Sequence, residues 1–161
     1  RLDKVEQALG TPLSRDNTLQ ANADSISHKV EQNKQIVNDA FDQAEKGNLE
    51  GFINTLSKDF KWTTIGSTAV SGTYDIKSLL EVYFPKIAAS FESMPIIVPD
   101  HIIADENYVI RLGHGEGGVA KNGLEYNNIY CFVIRVEDGK IKGITEYCDT
   151  DLVQKAKLGQ Y

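Results

Sequence analysis

Two long runs of β-branched and aromatic residues stand out in the pattern of the chain toward its C-terminus. They span 126–136 and 141–149, and the pair Asp138-Gly139 lies between them. Asp-Gly is a preferred centre of a two-residue β-hairpin turn, and runs of this composition are typical of strands. The pattern therefore predicts an antiparallel hairpin around which the rest of the fold is organised.

The side chains of this hairpin divide into two faces, because alternate residues of a strand point to opposite sides of the sheet. Counted from the turn, Cys131 lies opposite Glu146 on one face, and Tyr130, Phe132 and Tyr147 lie on the other. Both faces are largely apolar, so we expect both to be covered. The carboxyl of Glu146 then lies within a covered apolar face, which indicates a functional site.

An Asn-Gly pair at 122–123 predicts a second hairpin, which joins the strand 108–116 to the first one. With that turn, His114 lies opposite Cys131, and His114, Cys131 and Glu146 form one row across three strands. Four glycines close to His114 leave a β-bulge open as an alternative. A slip of one residue would exchange the two faces of a strand.

Upstream of these strands, apolar residues recur with the period of an α-helix. Three helices are predicted: one that ends before Gly47, one over 49–56, and one over 76–91 that is kinked at Pro85. Strands are predicted near 60–65, 96–104, 107–117, 124–136 and 141–149.

Helices followed by a meander of long antiparallel strands indicate an α+β fold. We expect the three N-terminal helices to pack in a strongly curved, mixed and mostly antiparallel sheet. Such a sheet closes like a cone and has a cavity at its open end. A single domain is predicted over 28–161, preceded by a polar N-terminal extension over 1–27.

Composition and charge restrict the function. The chain has 161 residues, of which 41% are hydrophobic and 25% charged, and this is enough for one sizeable core. A net charge of −6 without a Lys/Arg stripe argues against a nucleic-acid partner. No apolar run approaches the length of about 20 residues that spans a membrane. A cytoplasmic location is the default expectation, with a removed leader as the alternative, and both cysteines are expected to be reduced.

General acid–base chemistry is the function that best explains a carboxyl in an apolar face. Burial raises the pKa of a carboxyl, which suits proton transfer near neutral pH. We therefore predict Glu146 as the principal acid/base, His114 as its proton partner and Glu116 as a supporting carboxylate. Two alternatives stay open. In the first, Glu146 forms a purely structural hydrogen bond or ion pair with His114, Arg135 or Lys142. In the second, one His and two carboxylates bind a metal. We expect no metal and no other cofactor.

Nine further residues are expected to line the pocket of a small-molecule ligand, because they share a face with these groups or border the mouth of the cavity. They are Trp62, Thr64, Tyr83, Leu112, Ile129, Cys131, Val133, Ile144 and Cys148. The opposite sheet face has no helix left to cover it, so we expect it to form a homodimer interface.

The motifs of the second half of the chain resemble those of SnoaL-like proteins, which belong to the nuclear transport factor 2-like superfamily together with the ketosteroid isomerases. The resemblance covers about 31–153, with Trp62 on the first strand. It is carried by Gly123, Tyr126-Asn127-Asn128, Tyr130, Phe132-Val133, Asp138-Gly139-Lys140-Ile141, Glu146-Tyr147 and Asp149-Thr150. It implies the cone-shaped fold and is weak for the reaction, because this fold hosts many activities.

The relatives differ in what they imply for the site. Ketosteroid isomerases carry their general base on the first strand, where this chain has Thr63 and Thr64. The Asp-Arg-Asp arrangement of limonene epoxide hydrolases matches His114, Glu116 and Glu146, with His in place of Arg. Polyketide cyclases use acidic residues and His of the same strands, and they are the most similar in this respect.

The resemblance therefore implies an isomerase, a cyclase or a hydratase that acts on an apolar, oxygenated ring compound without a cofactor. A hydrolase of the epoxide hydrolase type is one alternative. The other is a protein of the same fold that binds a small molecule or serves as a dimeric scaffold without turnover.

Overall fold

The computed structural model describes the backbone of residues 12–161 and the side chains from residue 17 onward. Its strands are β1 (Leu56–Thr64), β2 (Gly72–Tyr74), β3 (Phe91–Ser93), β4 (Ile96–Ala104), β5 (Tyr108–Glu116), β6 (Val119–Ala120), β7 (Ile129–Glu137) and β8 (Lys140–Cys148). Its helices are α1 (Pro12–Glu45), α2 (Leu49–Asn54), α3 (Ile76–Ser78), α4 (Phe84–Ala89) and α5 (Thr150–Lys155), and a π-helical turn, Leu79–Tyr83, joins α3 to α4.

Six strands form one mixed sheet in the order β2-β1-β8-β7-β5-β4. Only the pair β1 and β8 is parallel, and the other neighbours in this sheet are antiparallel. β3 and β6 form a separate two-stranded sheet. The helices pack against the large sheet, which confirms the predicted α+β, cone-like architecture with a mixed and mostly antiparallel sheet.

The first helix extends beyond the part that packs on the sheet. Its side chains over 17–29 are exposed, whereas Asn33, Val37 and Ala40 are buried. The described part of the predicted extension, 12–27, is therefore helical and continuous with α1. The remainder of that extension lies outside the described residues. Of the helices in the described part of the chain, none combines the length and hydropathy that a membrane span requires.

The predicted third helix contains a π-helical turn just before Pro85. The N–H of Phe84 donates to the carbonyl of Leu79, five residues earlier, and the helix then continues as α4. Because Pro85 has no N–H to donate, the regular series of α-helical backbone hydrogen bonds is interrupted at this point. The helix ends at Ala89, and Phe91 begins the short strand β3, so the prediction of a helix to residue 91 is wrong by two residues.

The hairpin of β7 and β8 turns at residues 138–139 as predicted, and both have positive φ. Just beyond the turn the register shifts by one residue, because Lys142 is an extra residue on β8. Glu146 therefore lies opposite Phe132. The prediction that Glu146 lies opposite Cys131 is wrong, and the β-bulge is the physical reason.

The register between β5 and β7 also differs from the prediction. Leu112 lies opposite Cys131 and His114 lies opposite Ile129, a shift of two residues. The connection contains β6 and the left-handed Gly117, so it is not a two-residue hairpin. A shift of two residues preserves the faces. The predicted opposition of His114 and Cys131 is wrong, although the two still share a face.

These registers decide which side chains enter the core. Tyr130 and Phe132 are buried on the inner face, toward the helices, together with Glu146. Their predicted place on the outer face is wrong. Tyr147 does lie on the outer face, where 46% of it is exposed.

Candidate functional site

A cavity of about 460 Å³ lies between the inner face of the sheet and the helices. Its wall is mostly apolar and aromatic, with a few polar groups, which is the usual composition of a small-molecule site. Residues that line it include Phe41, Phe52, Trp62, Thr64, Tyr83, Phe84, Arg111, Tyr130, Phe132, Glu146 and Cys148.

Glu146 lies at the centre of a buried hydrogen-bond network and is itself only 8% exposed. Its Oε2 accepts a hydrogen bond from the hydroxyl of Tyr83 at 2.9 Å and from Nε1 of Trp62 at 3.2 Å. Oγ1 of Thr64 lies 3.1 Å from the same oxygen and 3.0 Å from the hydroxyl oxygen of Tyr83. Three donors therefore surround one carboxylate oxygen.

A threonine hydroxyl carries a single proton, so Thr64 donates either to Glu146 or to Tyr83 at any moment. Nε1 of Trp62, 3.1 Å from Oγ1 of Thr64, divides its hydrogen bond between that oxygen and the carboxylate. No described residue donates to the second oxygen of Glu146, Oε1. The two oxygens of this carboxyl thus differ: Oε2 is held, and Oε1 is left to the cavity.

The pKa values of these groups follow from their burial. Desolvation raises the pKa of Glu146, while the hydrogen bonds from Tyr83, Thr64 and Trp62 act in the opposite direction. Burial, followed by the charge of Glu146, raises the pKa of Tyr83 well above 10.0. Tyr83 therefore remains a hydrogen-bond donor throughout the neutral range, and Glu146 is the group in the network that can change its protonation.

The network is assembled from three elements. β1 pairs with β8 in parallel, with Thr64 opposite Glu146, and Trp62 lies on the same face as Thr64 because it is two residues earlier. Tyr83 comes from the end of the π-helical turn. π-helical turns are rare and are often found at functional sites.

Arg111 is a polar residue of the cavity that the sequence patterns did not indicate. It is 5% exposed, and its Nε and Nη1 are buried without a hydrogen-bond partner. Its guanidinium lies 4.2 Å from the centroid of the Phe41 ring. The signal that could have identified it is its position two residues after the apolar Val109, which faces inward on the same strand.

Arg111, Phe132, Glu146 and Thr64 form one row across β5, β7, β8 and β1. Phe132 lies between Arg111 and Glu146 in this row. Neighbouring strands are about 4.8 Å apart, so the backbones of Arg111 and Glu146 are separated by roughly 10 Å.

His114, the predicted proton partner of Glu146, and Glu116, the predicted supporting carboxylate, lie on the outer face and do not reach Glu146. Nδ1 of His114 is 2.9 Å from Asp100, and its Nε2 is 3.1 Å from Glu116. Hydrogen bonds to Asp100 and then to Glu116 raise the pKa of the exposed imidazole. These contacts are confined to the other side of the sheet, so they cannot relay a proton to Glu146.

The nine predicted pocket residues divide between the two faces. Trp62, Thr64 and Tyr83 line the inner cavity, and Ile144 is buried in the core. Leu112, Ile129 and Cys131 line a shallow depression on the outer face, where Val133 also lies. They do not reach the cavity, because the bulge reverses the faces of β7 relative to β8.

Cys148 borders both the cavity and the outer depression. Burial raises the pKa of its thiol to about 12, so it is not a thiolate at neutral pH. Both cysteines are free thiols. Among the described residues, no three His, Cys, Asp or Glu side chains converge on a position that would hold a metal ion.

Comparison with known proteins adds a family and a set of similar folds. The family model for the SnoaL-like domain matches residues 37–144, more than half of the chain. No curated protein matches the chain at a significant level.

Three solved structures illustrate the similarity of fold. An NTF2-like protein from Burkholderia xenovorans LB400 is 26% identical, with 80% of this chain and 97% of that chain covered and a TM-score of 0.68. A protein from Jannaschia sp. CCS1, named a SnoaL-like polyketide cyclase, is 16% identical, with coverages of 82% and 94% and a TM-score of 0.64. TerC, co-crystallised with polyporic acid, is 16% identical, with coverages of 81% and 99% and a TM-score of 0.68.

Proposed function

Because this chain belongs to the SnoaL-like family, we propose that it is an enzyme that performs acid–base chemistry on an apolar, oxygenated ring compound. The reaction is an isomerisation, a cyclisation or a hydration in which side chains of the cavity exchange protons with the substrate and no cofactor takes part. Glu146 is the acid/base of this proposal, and Trp62, Thr64 and Tyr83 position its carboxyl.

The observation that carries the proposal is the unequal environment of the two oxygens of Glu146. Three donors hold Oε2, which fixes the orientation of the carboxyl, while Oε1 is free to accept or release a proton at the cavity. A general base has to lie within hydrogen-bond reach of the proton it removes. A ring compound in the cavity would present its acidic C–H or its hydroxyl to Oε1.

The mostly apolar wall supports a substrate with a ring system, because it excludes water from the reacting groups. Proton transfer from carbon benefits from a base with a raised pKa, and burial raises the pKa of Glu146. A protein named as a SnoaL-like polyketide cyclase and a protein crystallised with polyporic acid share the fold, which further supports ring compounds as substrates.

The proposal is tested by hydrogen–deuterium exchange, which detects proton removal even when the complete reaction is not known. Ring ketones from steroids, terpenoids and aromatic polyketides are incubated with the protein in D₂O, and deuterium at the carbon next to the carbonyl is measured by mass spectrometry. We expect Glu146→Gln to lower the exchange rate of a reactive compound by at least about 100-fold, because it removes the base.

Two further variants make this comparison sharp. Glu50→Gln removes an exposed carboxyl from α2 and is expected to leave the exchange rate unchanged. Glu116→Gln tests the outer-face carboxyl in the same way. Equal losses in Glu116→Gln and Glu146→Gln would contradict the assignment of the base to the cavity.

Ligand binding without turnover is the second candidate, and the same cavity supports it. In that case a ring compound would raise the melting temperature of the wild type and of Glu146→Gln alike, with no exchange above the solvent background. Epoxides are included in the screen, since hydrolysis of an epoxide is the alternative reaction that also requires a carboxylate base.

We also propose that the outer sheet face joins two copies of the chain in a homodimer. Ile129 is 72% exposed on that face, next to the half-buried Cys131 and Leu112. An exposed apolar sheet face is typical of a protein–protein interface.

A further inference from the structure

Arg111 is the buried charge of the cavity that the proposed proton transfer does not use. Its Nε and Nη1 have no hydrogen-bond partner, although the residue is almost completely buried. Native proteins rarely leave buried donors unpaired, because each one loses its hydrogen bonds to water and gains none in return. Such a group in a cavity indicates a ligand atom that pairs with it.

The groups around Arg111 compensate for its charge only in part. The ring of Phe41 stacks on the guanidinium, and the carboxylates of Asp42 and Glu45 on α1 act on it electrostatically. None of the described carboxylates forms an ion pair with it, and burial, the largest influence, lowers its pKa. The side chain is therefore held by packing, and it lines the cavity with two nitrogens that have no hydrogen-bond partner.

Glu146 does not neutralise Arg111 either, even though both belong to one row of the sheet. Phe132 lies between them, and its ring packs edge-on against Phe41 at 5.0 Å and against Trp62 at 6.2 Å. The wall of the cavity thus contains a cation and a carboxyl, with an aromatic residue between them in the sheet.

We infer that Arg111 binds an anionic oxygen group of the ligand, such as a carboxylate or an acidic enol, while the ring system of the ligand lies over Phe132 and reaches toward Glu146. The inference rests on the proposed function and specifies its substrate class: ring compounds that carry an acid group about one ring system away from the reacting atom. Arg111 then determines specificity and orients the substrate against Oε1 of Glu146.

The negative overall charge of the protein helps to assign a preference for anions to a single local group. With a net charge of −6, the surface repels anions, so a preference for an anionic ligand has to come from a local cation. A guanidinium can present paired N–H groups to a carboxylate, and it remains protonated under all ordinary conditions.

The test compares two probes that differ in charge and hardly in shape, 2-naphthoate and 2-naphthamide. Their affinities are measured by isothermal titration calorimetry at 0.15 M and 0.5 M NaCl, for the wild type, Arg111→Met, Arg111→Lys and Glu146→Gln. Circular dichroism checks the fold of each variant. Arg111→Met keeps the apolar volume of the side chain and removes its charge. Arg111→Lys keeps the charge and loses the planar arrangement of N–H donors of the guanidinium.

We expect the wild type to bind the carboxylate at least about tenfold more tightly than the amide. Arg111→Met should bind both probes with equal affinity, and Arg111→Lys should retain part of the preference. Glu146→Gln should keep the preference for the carboxylate. Because the site is buried, the preference should persist at 0.5 M NaCl.

Equal affinity of the wild type for the two probes, or a preference that survives in Arg111→Met, would overturn the inference and leave the acid–base proposal standing. Failure of both probes to bind the folded wild type would overturn the inference, because the cavity would then not accept a charged ring compound. The acid–base proposal fails separately, when Glu146→Gln exchanges deuterium as fast as the wild type.

Discussion

At the scale of single residues, the two oxygens of Glu146 perform different tasks. Oε2 accepts the hydrogen bonds that keep the side chain in one orientation, and Oε1 remains available to a ligand. Burial and hydrogen bonding have opposite effects on the pKa of this carboxyl, and burial has the larger one. The stability of the protein should therefore depend on pH through this residue.

The direction of that dependence follows from proton linkage. The pKa of Glu146 is higher in the folded chain than in the unfolded chain, so above the unfolded value of about 4.3 the folded state holds more protons. The free energy of unfolding therefore falls as pH rises through the interval between the two pKa values. Its slope reaches about 1.4 kcal/mol per pH unit at most.

We predict that Glu146→Gln lacks this contribution. Its free energy of unfolding, measured by urea denaturation from pH 4 to pH 8, should increase relative to the wild type as pH rises above about 4.3. Glu50→Gln is the charge-matched control and should not reproduce the trend. A constant difference between Glu146→Gln and the wild type across this range would contradict the raised pKa.

At the scale of elements, a single extra residue separates what the sequence predicts from what the structure contains. The turn at 138–139 was predicted correctly, because Asp-Gly has a local conformational preference. The bulge at Lys142 could not be predicted from the turn, because it depends on how β8 packs against β1 and the helices. A count of residues from the turn that ignores this bulge assigns the side chains of β7 to the wrong faces of the sheet. The predicted environments of Tyr130, Phe132 and Cys131 are therefore reversed.

Arg111 was missed for a related reason. The sequence shows an arginine between two apolar residues, which is also the pattern of an ordinary solvent-facing strand residue. Its burial depends on the bulge at Lys142, which brings the face of Phe132 and Arg111 to the side of Glu146, and on the packing of Phe41 from α1. By contrast, the sequence predicts a common pocket for Trp62, Thr64, Tyr83 and Glu146, and all four line the cavity. Their positions do not depend on the register of β7.

Asn128 links two elements near the cavity and provides a second test. It is 1% exposed, its Nδ2 donates to the hydroxyl of Tyr126 and to the carbonyl of Asp149, and its Oδ1 accepts from the N–H of Asp149. Asp149 in turn caps the N-terminus of α5. The amide thus ties the start of β7 to the end of β8.

We predict that Asn128→Ala destabilises the fold by about 2–4 kcal/mol, because it leaves several buried groups without partners. Chemical denaturation measures the change, and the exposed Asn54 serves as control, since Asn54→Ala should shift the free energy of unfolding by less than about 0.5 kcal/mol. A loss of the same small size for Asn128→Ala would show that this amide is not a structural link.

At the scale of the whole molecule, the α+β architecture follows from the order of helical and strand patterns in the sequence. Two helices, the strands β1 and β2 and a further helical segment come first, and the long antiparallel strands follow. The curved sheet leaves a cavity where the helices do not fill it. The sequence does not predict the length of the first helix, because polar side chains over 17–29 give no amphipathic signal. The exposed outer face of the sheet belongs to the same scale, because the partner we propose for it is a second copy of the chain.

We predict that the wild type sediments as a dimer in analytical ultracentrifugation at micromolar concentration and that Ile129→Glu sediments as a monomer. A charge at this exposed position on the outer face would have to be buried at the interface without a partner. Leu49→Glu places the same charge on an exposed apolar residue of α2, so it should remain dimeric. A monomeric wild type, or dimeric Ile129→Glu, would contradict the proposed interface.

The contact between Trp62 and Glu146 has an optical consequence. Trp62 is the only tryptophan in the chain, so all indole emission of the protein originates within hydrogen-bond distance of the proposed base. The colour and intensity of that emission depend on the electric field and the solvent around the ring. The protein therefore contains its own label, and light emitted by the unmodified chain reports on the charge and the occupancy of its cavity.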